Sequence, residues 1–398
     1  MRSKNRRVLP RHKITFVIIR FVSLIYTRIF LGFRCKDRYK IKKGETVVVL
    51  SNHQTDADPF CIFPSFIGKT YPVGTDYVYT GRFKSKVLKY FSEMIPKRKG
   101  TVDKKCMVAM FQTISEGGSL ILFPEGNRTY AEFQFYVTSG IAKLIKKFGS
   151  TLILYNFYGG TGVSPRFAKK RRKGPFTGKI VRVIKKEEYE NYSDEELYQI
   201  IIDAIRVYDS ESGNLYKSKD RAEYLERMFF VCPKCKRMET LRSNKNVLSC
   251  SCGFELEYLE NLLIKTNQQD INFDRLVDYW NYQKKYLRDL VIEDNNVIFK
   301  DNITLYETKM FENKRKVYKG LMFVDKDLLH FNDLIFHIRE VENASVISGD
   351  KLSLTISKTD YLIVGEERFN PLKYVFLFNK LNTNMKENNT DKYYTLED

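Results

Sequence analysis

The stretch VVVLSNHQTDADP at residues 47–59 decides the fold. Its four leading apolar residues, three of them β-branched, read as a strand buried on both faces, as in a parallel sheet, and the polar residues after Leu50 end it. A second stretch of the same build, LILFPEGNRT at residues 120–129, also runs from an apolar strand into a turn. In open α/β sheets, ligands collect beyond the carboxyl ends of such strands. One sheet therefore carries Asn52-His53-Gln54-Thr55-Asp56-Ala57-Asp58 and Phe123-Pro124-Glu125-Gly126-Asn127-Arg128-Thr129 to one crevice. Either motif alone is ordinary turn chemistry. Their order and shared strand context carry the reading.

Working outward, residues 45 to about 190 alternate short apolar runs with helical patterns at 59–66, 102–114 and 139–148, with further strands near 152–157 and 179–183, an α/β layout. Ser193-Asp-Glu-Glu opens another helix, with Ser193 as N-cap and Glu196 in the reciprocal position. Past about Glu223 the texture changes to a cysteine cluster and then to a helix around 273–287 that carries the only Trp, Trp280. Alternating short segments from 297 to 381 follow and read as β-strands. The run 372–381 reads as a helix closing a β-rich, pleckstrin-like sandwich. The expected layout is a basic amphipathic membrane-binding helix at 1–44, an α/β domain at 45–222, a zinc-ribbon-like module at 223–260, a helix plus β-rich domain at 261–382, and a disordered polar tail at 383–398.

With 398 residues, 43% hydrophobic and 14% aromatic, the chain can bury two or three cores, and disorder is not the default. Its formal net charge of +20 implies a polyanionic partner, either nucleic acid or an anionic membrane surface. Residues 1–43 hold fourteen Lys or Arg against Asp37 alone, so +13 of that charge lies there. Residues 14–33, ITFVIIRFVSLIYTRIFLGF, are about long enough to span a bilayer, but Arg20 and Arg28 are costly in hydrocarbon. On a helix Arg20, Ser23 and Thr27 share one narrow face with Arg28 at its edge, and apolar residues cover most of the rest. The expectation is a helix lying in the membrane interface, peripheral or monotopic, on the cytoplasmic face of the cell membrane. A core helix with snorkelling arginines is the alternative. Arg20 also interrupts the apolar core that a signal peptide needs.

Asn52-His53-x4-Asp58 together with Phe123-Pro124-Glu125-Gly126-Asn127-Arg128 resembles the glycerolipid acyltransferase family, which includes the lysophosphatidic acid acyltransferases. The resemblance covers roughly residues 15–190. It implies O-acyl transfer from a thioester, acyl-CoA or an acyl carrier protein, to a glycerophospholipid precursor. The first choice is 1-acylglycerol 3-phosphate, giving phosphatidic acid, with glycerol 3-phosphate or another lysophospholipid as the alternative acceptor.

The residue chemistry agrees. A hydroxyl attacking a thioester needs a base, and an imidazole suits that near pH 7, so His53 is the candidate base. Asp58 is the carboxylate that would orient it; Asp56 is nearer in sequence, and it is the family spacing that selects Asp58. Preceding Pro59, Asp58 is also placed to cap a helix. By resemblance Glu125, Gly126, Asn127, Arg128 and Thr129 hold the acceptor's phosphate, and Arg98, between Lys97 and Lys99, matches a further expected Arg. The family's fourth segment usually contains a Pro, and TLILYNFYGG at 151–160 has Leu154 or Tyr155 there instead. Just beyond it, Arg166 to Lys173 holds six basic residues in eight positions, suited to lipid head groups or an acidic carrier, or simply solvated.

Of seven cysteines, Cys35, Cys61 and Cys106 are scattered and read as inert thiols. Cys232-Pro-Lys-Cys235 and Cys250-Ser-Cys252-Gly253 resemble a zinc ribbon, with the second turn one residue short, and four thiolates suit a closed structural Zn²⁺ site in a reducing compartment. A basic zinc-ribbon protein that binds nucleic acid without catalysis is the rival reading. The positive charge disfavours it, because it gathers at the apolar N-terminal helix rather than around the cysteines.

Overall fold

The run at 47–50 forms the central strand of the first sheet. The computed structural model describes residues 6–98, 103–132, 134, 136–292 and 297–382, so the expected disordered tail at 383–398 lies outside the described residues. In chain order it places α1 at His12–Leu31, β1 at Phe33–Cys35, β2 at Val47–Ser51, α2 at Asp58–Ile62, β3 at Thr70–Thr75, α3 at Arg82–Ser92 and β4 at Ile95–Lys97. There follow α4 at Lys104–Ser115, β5 at Ser119–Leu122, α5 at Gly140–Phe148, β6 at Thr151–Tyr158, β7 at Phe176–Ile184 and α6 at Asp194–Ile205.

The seven strands lie in the order β1-β7-β6-β2-β5-β3-β4. β2 is parallel to both neighbours, and β5, β3 and β4 continue parallel, so the loops after β2, β5 and β4 leave the same edge. Val47 to Ser51 are wholly buried, as an apolar run covered on both faces must be. β3 and β4 are not expected from the sequence. β3 carries Pro72 and Gly74, and β4 contains Pro96, which its place at the edge of the sheet tolerates. Tyr155, where the resemblance expects Pro, is a core residue whose hydroxyl bonds to Ser65 Oγ at 2.8 Å. It is accommodated by Gly178, where a Cβ would stand 2.1 Å from that hydroxyl. Ser193 and Glu196 form the expected capping box of α6.

Helix α1 packs in the reverse of the usual sense. Thr15, Ser23 and Thr27 are buried against the protein, joined by Phe16 and Leu31, whereas Ile14, Val17, Phe21, Val22, Ile29 and Phe30 are each more than half exposed. This overturns the core-helix alternative, because a core helix buries its apolar face. Among the described residues α1 is the helix long and apolar enough to cross a membrane.

The rest of the chain is β-rich. A four-stranded antiparallel ribbon comprises β8 (Leu241–Asn244), β9 (Val247–Cys250), β10 (Glu255–Tyr258) and β11 (Ile264–Thr266). Helix α7 (Leu276–Asp289) follows, and its buried Trp280 lies between Tyr130, at 5.5 Å between centroids, and Phe376, at 5.4 Å, so it ties the first sheet's loops to the last domain. That domain is a curled antiparallel sheet of β12 (Phe299–Thr308), β13 (Arg315–Val324), β14 (Leu328–Phe331), β15 (Leu334–His337), β16 (Val341–Ile347), β17 (Lys351–Ile356) and β18 (Thr359–Gly365). Its order, β15-β14-β13-β12-β18-β17-β16, is two meanders joined through β12 and β18. Helix α8 (Pro371–Leu381) closes it against β16 and β17, capped by Asn370 and begun by Pro371. This is the β-rich, helix-closed unit expected from the alternating pattern.

Candidate active site

Where β2 ends, Asn52 fixes the chain that follows. Its side chain donates to the Phe157 carbonyl at 3.0 Å and accepts from the Phe157 amide at 2.8 Å, so a side chain continues the pairing with β6. The His53 ring stacks on Phe123 at 4.4 Å, and its Nδ1 lies 2.8 Å from Asp58 Oδ2. Asp58 is wholly buried, and its oxygens also accept from the amides of Gln54 (2.6 Å) and Thr55 (2.9 Å) and from the Thr55 hydroxyl (2.6 Å). A carboxylate so surrounded by donors is an acceptor, which assigns the His53 proton to Nδ1 and the lone pair to Nε2. The His53 side chain stays 18% exposed, so a hydroxyl can reach it. The helix-capping task expected of Asp58 is not seen. It is the first residue of α2 rather than its cap, and its oxygens bond backward to the loop because that is where His53 stands.

The second motif is laced to the first through the main chain. The His53 amide donates to Glu125 Oε1 at 3.3 Å, and the Thr129 amide donates to the His53 carbonyl at 2.9 Å. Gly126 makes the turn with φ 68°, a left-handed conformation that favours glycine. Glu125, Asn127, Arg128 and Thr129 are all buried. Arg128 donates from Nε to the Gln54 carbonyl (3.4 Å) and from Nη2 to the Ser164 carbonyl (3.2 Å), while Nη1 lies 2.5 Å from Asp56 Oδ2. The two carboxylates left open by the residues thus divide: Asp58 takes the imidazole and Asp56 takes the guanidinium. The Asp56 side chain is exposed at one end, and the Arg128 guanidinium more than offsets the partial desolvation around it and holds its pKa below the ordinary value. A phosphate that reaches Arg128 must share it with Asp56 or displace it.

Arg98 stands apart. It follows β4, three strands from β2, roughly 14 Å at the usual strand spacing. Its Nη2 meets both oxygens of Asp360 on β18, at 3.0 and 3.1 Å, so it pairs with the C-terminal sheet. The basic run after β6 also divides. Arg166 is buried, donates to the carbonyls of Arg128 (2.7 Å) and Val346 (3.0 Å), and lies 3.9 Å over the Tyr130 ring. Arg172 is buried, donates to the Arg221 carbonyl at 2.5 Å, and packs 4.9 Å over Tyr258. Two of the six are therefore struts rather than solvated charges, a distinction that composition cannot make.

Sequence reasoning misses the support behind the loop. Gln54 Nε2 donates to Asp209 across 155 residues of chain, and Asp209 also accepts from the amides of Gly159 (2.6 Å) and Thr161 (3.2 Å) and from the Thr161 hydroxyl. No local signal marks a contact of that span. Neighbouring Glu132 accepts from the Ser210 amide at 3.1 Å, and burial first, then the Asp209 charge, push its pKa up to about 7. A carboxyl raised this way favours the folded state while protonated in it, and that contribution is lost as pH climbs from the ordinary carboxylate range through about 7. Glu132→Gln, which stays neutral, should therefore gain melting temperature relative to wild type between pH 5 and pH 8. Thermal unfolding across that range checks it, and a difference independent of pH contradicts it.

The four clustered cysteines converge. Their sulfurs lie within 4.8 Å of one another, with Cys232 to Cys252 at 3.6 Å and Cys235 to Cys250 at 3.8 Å. A disulfide needs about 2.05 Å. Two thiolates on a tetrahedral ion with bonds of about 2.3 Å stand about 3.8 Å apart, so the residues fit zinc. The short second turn is absorbed by Gly253, at φ 85°, whose amide bonds to the Cys250 carbonyl at 3.0 Å. Tyr279 and Gln283 of α7 bond to the chain at Met228 to Val231, just before the first knuckle, holding the ribbon in place.

Comparison with known proteins gives a family match and matches among solved structures. Residues 32–157 match the model of the Acyltransferase family. No curated protein matches the chain. A similar solved structure is that of the 1-acyl-sn-glycerophosphate (LPA) acyltransferase PlsC from Thermotoga maritima, 17% identical, with a TM-score of 0.41, covering 50% of this chain and 81% of that one.

Proposed function

From the match of residues 32–157 to the Acyltransferase family we propose that the chain moves a fatty acyl group from a thioester to the hydroxyl of a phosphate-bearing glycerolipid precursor. The preferred acceptor is 1-acylglycerol 3-phosphate, yielding phosphatidic acid. The observation that carries the reading is the 2.8 Å contact between His53 Nδ1 and buried Asp58, which leaves Nε2 as a base at the crevice. His53 Nε2 takes the hydroxyl proton as the oxygen attacks the thioester carbonyl, and Asp58 steadies the imidazolium that forms. When the C–S bond breaks, the departing thiolate receives that proton, so the step balances without an acyl-enzyme. Arg128 receives the acceptor's phosphate as Asp56 yields. The donor is acyl-CoA or an acyl carrier thioester.

The phosphate requirement is the test. Labelled acyl transfer to 1-acylglycerol 3-phosphate should exceed transfer to monoacylglycerol, which lacks the phosphate, by at least tenfold in kcat/KM. Equal rates contradict the reading.

Membrane attachment through α1 belongs to the same proposal, supported by its exposed apolar face and by the basic residues around it. Phe21→Glu with Ile29→Glu should lower partition onto anionic vesicles by tenfold or more while leaving the fold's circular dichroism unchanged. Co-sedimentation checks this, and unchanged partition contradicts it.

A further inference from the structure

A polar cavity of about 330 Å³ opens beside the Arg128–Asp56 pair, at the low end of the range for ligand pockets. Its walls come from the loop after β6, from Arg227, and from Ser348 and Asp350 in the β16–β17 turn of the C-terminal sheet. Six basic residues line it, Arg128, Arg166, Lys169, Lys170, Arg171 and Arg227, against two carboxylates, Asp56 and Asp350. Three of the six already meet carboxylates: Arg128 with Asp56, Lys169 with Glu367 and Lys170 with Asp220.

Two others define what the space lacks. Arg171 is exposed and has no ion-pair partner among the described residues. Arg227 is only 4% exposed. It donates to the carbonyls of Phe167 and Glu367 and lies 4.4 Å over the Tyr224 ring, and its Nε is buried without a hydrogen-bond partner among the described residues. A buried guanidinium satisfied only in part by neutral carbonyls is an unfavourable arrangement that an anion with several acceptor oxygens relieves. A phosphate is such an anion, and the cavity has room for more than one.

We propose that this cavity, which Arg128 borders, holds a second phosphate position beyond that residue, in which Arg171 and Arg227 hold phosphate groups of a reactant against a wall supplied by the C-terminal sheet. The naming of a reactant rests on the acyl-transfer reading; the anion site itself does not. Two reactants carry the required chemistry: a coenzyme A donor, through its nucleotide phosphates, and the acceptor, through its head group.

The experiment is calorimetric titration of the full chain with adenosine 3′,5′-bisphosphate and separately with glycerol 3-phosphate, for wild type, Arg171→Ala, Arg171→Lys and Ser348→Asp. Ser348 lies at φ 52°, a conformation Asp tolerates, so the last variant adds a carboxylate to the C-terminal wall with little strain. The expected result is that at least one probe binds wild type, fivefold or more weakly in Arg171→Ala and Ser348→Asp, with partial recovery in Arg171→Lys. The bisphosphate alone responding assigns the donor, and glycerol 3-phosphate alone assigns the acceptor. Affinities unchanged in Arg171→Ala or in Ser348→Asp, or no binding by wild type, overturn the proposal. Arg171-dependent binding by a protein that transfers no acyl group would leave this subsite standing and remove the acyl-transfer reading, and active enzyme with unchanged binding would do the reverse.

Discussion

Asp58→Asn should lower turnover by about 10⁴-fold while leaving acceptor KM within a few-fold of wild type, the pattern of a triad carboxylate turned amide. The reason lies in the charge that the Asp58 oxygens carry. Oδ2 accepts from His53 Nδ1 and from the amides of Gln54 and Thr55. An Asn that keeps its oxygen at the Oδ2 position still accepts from all three, and its NH₂ then faces the Thr55 hydroxyl that donates to Oδ1 in the wild type. What is lost is the negative charge that steadies the imidazolium as His53 takes the proton. The fold should survive, because the apolar strand packing of β2 is untouched and the loop amides retain an acceptor. Steady-state kinetics with a melting curve on the same preparation checks this. A loss of turnover below tenfold would remove Asp58 from the orienting role.

Removing metal from the four-cysteine site should have the largest effect on stability. The ribbon sits between α7 and the chain leading into it, with Tyr279 bonded to Val231 and Phe229 stacked on Tyr279 at 4.1 Å. Losing the ion therefore loosens the contact that Trp280 makes with Tyr130 and Phe376. Taking about 5 kcal/mol of the metal's folding contribution as lost, and about 2 °C per kcal/mol for a chain of this size, a strong chelator or Cys235→Ser should lower Tm by roughly 10 °C. Elemental analysis should find one zinc per chain before treatment. Metal-free protein with the same melting curve contradicts the site.

The centre of the fold is legible because its signals are local. Val47 to Leu50 and Leu120 to Leu122 are in strands since an unbroken apolar run has to be covered on both faces, and adjacent parallel strands put His53 and Glu125 side by side. The capping box at Ser193 and the alternation in the last domain are equally short-range. What escapes the sequence depends on distant partners. Pro96 argues against a strand until the edge position of β4 is known. Arg98 is a phosphate candidate by motif order, yet its partner, Asp360, lies 262 residues away. Arg166 and Arg172 look like members of a solvated run until Tyr130 and Tyr258 cover them. The division of labour between Asp56 and Asp58 needs coordinates too, since both are within reach of His53 along the chain.

Whether His53 is the base of an acyl transfer is read from transfer of a labelled acyl group from acyl-CoA and from an acyl carrier thioester to 1-acylglycerol 3-phosphate in vesicles, by wild type and His53→Ala side by side. Wild type should form labelled phosphatidic acid with at least one donor, and the variant should be at least 10²-fold slower, the lower bound of what a positioned base contributes. Equal rates from the two proteins, or a folded, vesicle-bound wild type that forms no labelled product with either donor, would contradict that role.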